Sequence, residues 1–337
     1  MIDVRVAGYS LAEILTVAPT IDDQTEAVCR GLTLQIQNDK LLNTLLGKTV
    51  ELWNNDKRLF FGSILKRGLD ETGQASLTAY DPLFYFKNNP DDYYYKKNTV
   101  TANKVFEDLA KKTGVRIAKL ANTKVVLPAL WYQNGNPDEI AVDVLARTKQ
   151  AGGKNYWFRF DPSVNNFGLY LFERVVPKEV WAFQVGVNLT KASYEESAEE
   201  IVTQVKLVNR ETGKVVVRKH DTNYNLFGKL QHFEEVNKDE AAKMESKARD
   251  LLSKLSKIKV SSKIDGFNPG NMPIFYSGDV IYVEEKQTGI IGAYHIRNVT
   301  QEIYSSDYIT VAMDIEKSAS IPEIKYEDAT TNPNKKK

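Results

Sequence analysis

The stretch FFGSILKRGLDETGQASLTAYD, from Phe60 to Asp81, decides the fold, because IIGAYHIRNVTQEIYSSDYITVAMD, from Ile290 to Asp314, repeats its layout more than two hundred residues later. In both stretches apolar and polar residues alternate, β-branched and aromatic residues are frequent, and turn residues interrupt the runs. A further alternating run precedes each stretch: TVELW, and DVIYV. Each copy therefore predicts an antiparallel meander of at least three strands.

Two glycines, Gly62 and Gly292, occupy the same place in the two layouts. A glycine inside a strand usually marks a bulge or a close backbone approach, which bends a sheet toward a barrel. We therefore expect a duplicated β domain with Gly62 opposite Gly292. Because the segment from Gly62 to Asp81 is three residues shorter than that from Gly292 to Asp314, the difference should fall in the last turn. The alternative is that two antiparallel meanders resemble each other by chance.

The composition describes a globular protein with enough sequence for two or three domains. The chain has 337 residues, and 45 Lys and Arg against 44 Asp and Glu give a net charge of +1. A balance this even excludes bulk electrostatic attraction to nucleic acid or to an anionic membrane. The single cysteine, Cys29, excludes an intrachain disulfide framework. The sequence shows neither a signal-peptide layout nor a membrane-spanning run, so we expect a protein made and folded in cytoplasm.

Between the two copies, residues 99–187 predict a small α/β domain inserted into the β scaffold. TANKVFEDLAKKTG has the pattern of a short helix that ends at Gly114. A second helix begins at Asn136 and Pro137, which are typical of a helix N-terminus. The runs NYWFRFD and FGLYLFER then predict a hairpin.

After this insertion the chain returns to strands. Residues 188–232 contain the alternating runs, and we expect these return strands to complete a first β domain that spans residues 1–98. Residues 233–318 predict a helix followed by the second β domain. The last stretch, residues 319–337, has no periodicity and ends in three lysines, so it predicts a flexible tail.

The residue types that usually carry catalysis are sparse. His220, His232 and His295 stand singly, without metal-ligand spacing, and Cys29 lies in a strand candidate where a buried thiol is expected. Acidic clusters could supply the paired carboxylates of a glycoside hydrolase, but their context is that of solvated turns and helix approaches. The clusters comprise Glu195, Glu196, Glu199, Glu200, Glu234 and Glu235. We therefore predict no catalytic, cofactor-binding or metal-binding residues.

One segment, DDYYYKK, places Tyr93, Tyr94 and Tyr95 between acidic and basic residues. Interleaved aromatic rings and cations are typical of surfaces that stack bases or sugars. Tyrosine is also enriched in protein interfaces. The third interpretation is a linker whose tyrosines pack on the neighbouring domain.

The order of these segments resembles a known family. The series LGKTVELWNNDKRLFFGSILKR, SLTAYDPLFYFKNN, FGKLQHFEEV, FYSGDVIYVEE, IIGAYHIRNVTQEI and YITVAMDI is similar to the baseplate hub proteins of contractile phage tails. The resemblance is to the XkdQ-type proteins of PBSX-like prophages, and more distantly to the late-control D-type tail proteins. It covers essentially residues 1–318 and rests on order and spacing, since none of the motifs is specific alone.

The resemblance implies a non-enzymatic structural protein with a β-rich α+β fold. Two tail-tube-like antiparallel β-barrel or meander domains would flank the inserted α/β domain and a connecting helix. A homotrimer would present six such domains and join a sixfold tail tube to a threefold central spike in a phage, prophage or R-type bacteriocin tail. The implied interface candidates are Gly62, Gly292, Tyr93, Tyr94 and Tyr95.

Further partners implied by the resemblance are the tail tube protein, the central spike protein, a LysM-type tail protein, the tape-measure protein and the baseplate wedge. It implies no cofactor, no metal, no specific nucleic-acid binding and no membrane insertion. The alternative function is a tail-associated protein that binds the cell wall or hydrolyses peptidoglycan.

Overall fold

The computed structural model describes residues 1–37, 45–96, 99–175, 177–268 and 273–318. Strands dominate and helices are few, so the predicted β-rich α+β fold is confirmed. The chain divides into two compact units, one formed by Met1–Ala192 with Lys263–Lys337 and the other by Ser193–Ser262. The predicted tail, residues 319–337, lies outside the described residues.

The first unit begins with a run of strands and continues through an α/β segment. The opening strands are β1 (Ile2–Val6), β2 (Tyr9–Ser10), β3 (Thr20–Gln24), β4 (Gly31–Gln37), β5 (Thr49–Asn54), β6 (Lys57–Leu69) and β7 (Gln74–Tyr80). The α/β segment comprises α1 (Phe84–Lys87), β8 (Asp91–Tyr95), α2 (Ala102–Thr113), β9 (Ile117–Leu120), β10 (Leu130–Gly135), α3 (Pro137–Gln150), β11 (Tyr156–Asp161) and β12 (Gly168–Glu173).

The later elements follow in the same chain order. They are β13 (Trp181–Gln184), β14 (Leu189–Ser197), β15 (Gln204–Val208), β16 (Val215–Lys219), α4 (Asp221–Phe227), β17 (Gln231–Glu235), a 3₁₀ helix (Lys238–Lys243), α5 (Met244–Leu255), β18 (Lys259–Phe267), β19 (Val280–Glu285), β20 (Ile290–Ile303) and β21 (Ile309–Glu316). The connecting helix predicted from the sequence is therefore α5, preceded by one 3₁₀ segment.

One large sheet contains both copies of the repeat. Its strand order is β14-β18-β21-β20-β3-β4-β7-β6-β5-β1-β2, and β19 pairs with β20 and with β13. Alternate side chains enter one shared core, as Leu32, Leu34 and Ile36 of β4 do; each of them is fully buried. The period-two pattern of the sequence thus places apolar side chains of both repeats in one shared core.

The α/β segment has its own core, in which α2 and α3 pack with the sheets β11-β12-β9 and β8-β10. This core begins before the predicted boundary at residue 99, because Leu83, Phe86 and Tyr93 are buried in it. It also ends earlier than residue 187, because β13 pairs in parallel with β19 of the large sheet. Buried apolar contacts, rather than the change in sequence texture, set the limits of this segment.

The second unit is built on a small sheet of order β16-β15-β17. Its core contains Val205, Leu207 and Val216 of the sheet, together with Met244 and Ala248 of α5. Strands β15 to β17 pair with one another, whereas the sequence led us to expect that the return strands of 188–232 complete the β domain of 1–98. The apolar stripe of α5 packs on one face of this sheet, so the helix and the sheet bury each other's apolar side chains.

Within the described ranges, none of the helices has both the length and the apolar character needed to span a membrane.

Candidate assembly surfaces

The two meanders share their hydrogen-bond geometry. Strands β5, β6 and β7 pair antiparallel in sequence order, as do β19, β20 and β21. The Gly47 N–H donates to the Ile64 carbonyl at 2.8 Å, and the Gly278 N–H donates to the Ile296 carbonyl at 2.7 Å. Both glycines have positive φ, +78° and +87°, a conformation that favours glycine. These bonds define Gly47 and Gly278 as equivalent positions, and likewise Ile64 and Ile296.

A β-bulge occurs at the same place in both meanders. Pairing of β6 with β7 shifts between Ile64 and Lys66, and pairing of β20 with β21 shifts between Ile296 and Asn298. A bulge bends a strand and increases its twist. Two strands that bulge at equivalent residues are therefore bent in the same place, which a chance likeness between meanders does not explain.

The expected match of Gly62 with Gly292 is wrong by two residues. Gly62 pairs with Val50, and the equivalent pair in the second meander is Ile281 with Tyr294. Gly292 pairs instead with Val283, which gives it the position held by Phe60 in the first meander. The positions of the glycines in the sequence do not show which residues of the two meanders are equivalent. Only the backbone hydrogen bonds define that register.

Gly62 and Gly292 are also required for different structural reasons. A β-carbon on Gly62 would lie 2.2 Å from the carbonyl oxygen of Tyr80, so this position requires close backbone approach. Gly292 has φ +120° and no atom within 4 Å of such a β-carbon, so only its conformation requires glycine. Their proposed role in an interface between subunits remains a prediction.

The difference in length between the copies falls in the last hairpin, as the sequence predicts. Pairing of β6 with β7 ends at Leu69 and Ala75. Pairing of β20 with β21 continues further, through Glu302 with Thr310 and Ile303 with Ile309.

A junction between β20 and β3 connects the two repeats in one sheet. The paired residues run from Asn298 with Gln24 to Glu302 with Thr20. On one face Ile21 and Gln301 are both fully buried. On the other face the Thr300 hydroxyl donates to the Asp22 carboxylate at 2.6 Å. Strand β20 of the second repeat is thus specifically paired with β3, which precedes the first meander in the chain.

Beside this junction lies a group of charges and one aromatic ring, of which Asp23 and Arg30 are buried and the others half-buried. The Tyr276 ring lies between two guanidinium groups, 4.3 Å from that of Arg30 and 4.0 Å from that of Arg159. Arg30 also lies 3.5 Å from Asp23, and Arg159 donates to Asp279 at 2.9 Å. These contacts connect β3, the residue that precedes β4, the segment before β19, and β11. They therefore fix the α/β segment against both repeats.

Burial shifts the pKa of one carboxyl in this region, that of Asp81. Desolvation raises the pKa of Asp81 to about 7, although the Arg30 N–H and guanidinium act in the opposite direction. Its oxygens accept hydrogen bonds from the backbone N–H groups of Arg30 at 3.2 Å and Leu83 at 2.9 Å. Asp81 ends β7 and turns the chain toward α1, so we assign it a structural role.

The three tyrosines of the DDYYYKK segment lie in β8, which pairs with β10. Tyr93 is buried under the ammonium group of Lys112, 3.9 Å from its ring. The Tyr95 hydroxyl donates to Asp108 at 2.9 Å. Tyr94 is 55% exposed and contacts the edge of Trp131. Two of the three rings therefore serve packing within the α/β segment, and of the three only Tyr94 presents most of its ring to solvent.

The histidines and the cysteine, the residue types considered for catalysis or metal binding, are dispersed. The His220 ring accepts a hydrogen bond from the Asn223 N–H at 3.3 Å and caps α4. His232 contacts Glu234 at 3.5 Å, and partial burial lowers the pKa of His295. Burial raises the pKa of the Cys29 thiol to about 12, which opposes thiolate formation at neutral pH.

The acidic clusters lack the environment of a general acid. Although burial acts to raise it, hydrogen bonds from Lys247 and His232 hold the pKa of Glu234 below its ordinary value. Glu235 forms an exposed ion pair with Arg210 at 2.8 Å. Glu195 and Glu196 lie exposed on β14. A general acid in glycoside hydrolysis needs a raised pKa, whereas that of Glu234 is lowered. Across the described ranges, acidic, histidine and cysteine side chains form no group of three that could hold a metal ion.

Comparisons with known proteins agree with this architecture. The chain is 26% identical over 281 residues to the phage-like element PBSX protein XkdQ of Bacillus subtilis (strain 168), covering 82% of this chain and 83% of that protein. The 43 kDa tail protein of prophage MuSo2 from Shewanella oneidensis has a similar fold, with TM-score 0.64, 12% identity and coverage of 94% of this chain and 98% of that one.

A second solved structure extends the likeness. The E. coli c3393 protein matches with TM-score 0.57 and 9% identity, over 95% of this chain and 80% of that chain. It is described as a component of the type VI secretion system with structural similarity to T4 bacteriophage tail proteins gp27 and gp5. The fold is therefore shared with phage tail and tail-like proteins. A family model described as YQBQ-like matches residues 20–316, and the chain accordingly belongs to the YQBQ-like family.

Proposed function

We propose that this chain is a structural baseplate hub of a contractile injection system, the tail of a phage, a prophage or an R-type bacteriocin. In this role it forms a homotrimer that joins the sixfold tail tube to the threefold central spike. Its partners are the tail tube protein and the central spike protein. The LysM-type tail protein, the tape-measure protein and the baseplate wedge are further candidates.

The observation that carries the proposal is the pair of meanders with equivalent bonds at Gly47 and Gly278 and equivalent bulges after Ile64 and Ile296. A chain that presents the same unit twice matches a sixfold ring when three copies assemble. The fold shared with phage tail proteins supports the same role.

A structural role rather than catalysis fits the chemistry of the described surface. The histidines are dispersed, the Cys29 thiol has a raised pKa, and the carboxyl of Glu234 has a lowered one. Function then resides in the strand edges and faces that other subunits contact.

Electron microscopy of assembled tails tests this proposal. Tails that carry a labelled copy of the chain should show the label at one end of the tube, where it meets the spike, in three copies. A label spread along the tube, or one that is lost when particles are purified, contradicts the hub assignment.

A further inference from the structure

The small sheet β16-β15-β17 has a second face, opposite the one on which α5 packs. Val205, Leu207 and Val216 point toward α5 and form the core of this unit with Met244 and Ala248. Side chains alternate along a strand, so the residues between these three point to the opposite face, which we call the outer face. Its central residues are Lys206, Val208, Val215, Val217 and Phe233.

The outer face exposes three large apolar side chains close together. Val215 is 52% exposed, Val217 is 48% exposed and Phe233 is 50% exposed. Val217 and Phe233 pair with the same residue of the middle strand, Lys206, so these three form one row across the sheet. Scattered apolar residues are ordinary on a protein surface, but a group of them on one face marks a contact surface.

Lys206 is a half-buried cation at the centre of this apolar row. The other charges on the outer face are paired: Lys219 lies 3.3 Å from Asp221, and Glu235 lies 2.8 Å from Arg210. Lys206 forms no ion pair with any side chain that the structure describes. Its ammonium group therefore depends on water for its solvation in a single copy of the chain.

A partner that covers this face has to compensate the charge of Lys206. Removing an ammonium group from water is strongly unfavourable unless a counter-charge replaces the water. The occupant therefore needs apolar side chains against Val217 and Phe233 and a carboxylate against Lys206. Because Val217 and Phe233 lie two strand spacings apart, about 10 Å, the carboxylate lies midway between apolar groups at that separation.

The same charge disfavours two other occupants. In a two-fold contact between copies of this face, the central residue meets its own equivalent, so Lys206 would face Lys206, and like charges in direct opposition destabilise a contact. An anionic membrane surface is disfavoured because the carboxylates of Asp221 and Glu235 border the face.

We infer that the outer face of β16-β15-β17 is the docking surface for another protein of the tail, which presents a carboxylate between two apolar side chains and pairs that carboxylate with Lys206. This inference rests on the proposed hub function and deepens it by stating the chemistry of one partner contact and the face that makes it.

Carbodiimide cross-linking of purified tails tests the ion pair directly. The reagent activates a carboxylate, the Lys206 amine attacks it, and an amide joins the two chains while the reagent takes up the water that is lost. Mass spectrometry should find Lys206 joined to an Asp or Glu of a different tail protein. Lys206→Arg is the matched variant, because it keeps the charge but lacks the amine. It should assemble into tails and lose only this cross-link.

Incorporation of the full-length chain into tails, measured by mass spectrometry relative to the tube protein, tests the face energetically. Lys206→Glu should reduce incorporation at least about tenfold, because it opposes two carboxylates, and Phe233→Ser should do the same by removing an apolar anchor. The controls Lys257→Glu and Val260→Ser make the same kinds of change at exposed positions outside this sheet. They should leave incorporation within about twofold of wild type, and thermal melts check that every variant folds.

Lys206→Met separates charge from bulk, because it keeps an unbranched side chain and removes the ammonium group. It should reduce incorporation, since the carboxylate of the partner loses its counter-charge. Increased incorporation of this variant would show that no carboxylate faces Lys206 and would overturn the inference.

The remaining outcomes separate this inference from the hub proposal. Tails that contain the chain but give no cross-link at Lys206, or that incorporate Lys206→Glu and Phe233→Ser normally, overturn the docking surface and retain the hub. A cross-link from Lys206 to a second copy of the chain also overturns it. So does binding of the chain to phosphatidylglycerol vesicles that Lys206→Glu abolishes. Tails that lack the chain overturn both proposals. A cross-link from Lys206 to another tail protein, in particles whose label is spread along the tube, supports the docking surface and contradicts the hub.

Discussion

Gly62 lies so close to Tyr80 that a β-carbon at position 62 would stand 2.2 Å from the Tyr80 carbonyl oxygen and 2.7 Å from its carbonyl carbon. Both atoms belong to the backbone of β7, which is paired with β4 on its other side and cannot move aside without disrupting the sheet. The close approach immediately precedes the bulge that defines the repeat. A side chain at Gly62 would therefore disturb the bent meander.

Gly62→Ala should therefore lower the free energy of unfolding by about 3 kcal/mol or more, because the new methyl group overlaps the backbone of a central strand. Chemical denaturation monitored by tryptophan fluorescence measures the change. Gly31→Ala is the matched control: Gly31 also pairs with Tyr80, but its nearest contact would be an ordinary 3.8 Å. Equal losses in the two variants would show that the close approach is not the cause.

Gly292→Ala should have a smaller effect of a different origin. Space is open around this position, so only the conformation at φ +120° opposes a side chain, at a cost of about 1 to 3 kcal/mol. Replacement by D-alanine through chemical ligation should restore most of the loss, since a D-residue accepts this φ. Failure of that rescue would indicate a steric cause instead.

Asp81 should make stability depend on pH in an unusual direction. Its folded-state pKa of about 7 lies above the ordinary value of 3.8, so the folded protein holds this proton more tightly than the unfolded chain. Its contribution to stability is therefore fully present below about pH 4 and is lost as the pH rises toward 7. Aspartates whose pKa is lowered by an ion pair act in the opposite sense.

Asp81→Asn removes this titration. The stability of the variant relative to wild type should improve between pH 5 and pH 8, by about 2 kcal/mol. Urea denaturation of both proteins at the two pH values gives the comparison, and other titrating groups cancel in the difference. A relative stability that is unchanged, or that falls with rising pH, would mean that Asp81 is ionised in the folded protein throughout this range.

The histidines should be dispensable for assembly. His220→Gln, His232→Gln and His295→Gln each replace a ring that makes one or no described side-chain hydrogen bond, so we expect stability losses below about 1 kcal/mol and unchanged self-association. Analytical ultracentrifugation and thermal melts measure the two properties. Loss of assembly or of particle function in any of these variants, with stability retained, would reveal a site that depends on histidine chemistry.

The sequence predicts the repeat well but its register poorly. Alternation locates the meanders because β5 to β7 and β19 to β21 each bury one face. The equivalence of glycines fails because Gly62 is required by contact with Tyr80, whereas Gly292 is required by its own φ. Because glycine is required at these two positions for different reasons, its place in the sequence cannot be used to align the two meanders. The hydrogen bonds of Gly47 and Gly278 do so, and the sequence marks both glycines just before the first strand of each meander.

Most of the remaining differences between the expected and the observed fold come from strands that pair with distant parts of the chain. Strands β15 to β17 alternate as a domain-completing set would, but nothing in their period indicates which strands they pair with. The parallel pairing of β13 with β19 joins residues about one hundred positions apart, and so moves β13 out of the α/β segment. The tyrosines of β8 are attributed to an interface by composition, yet Tyr93 and Tyr95 are committed to contacts with Lys112 and Asp108.

Native mass spectrometry of the full-length chain, over a range of concentrations and with its tube or spike partner added, tests the central claim most directly. Each subunit has a mass of 38.2 kDa. The hub account predicts a species of three subunits, alone or once a partner is added, because two repeats per chain complete a sixfold ring only at that number. A species that stops at two or four subunits under all of these conditions would contradict it.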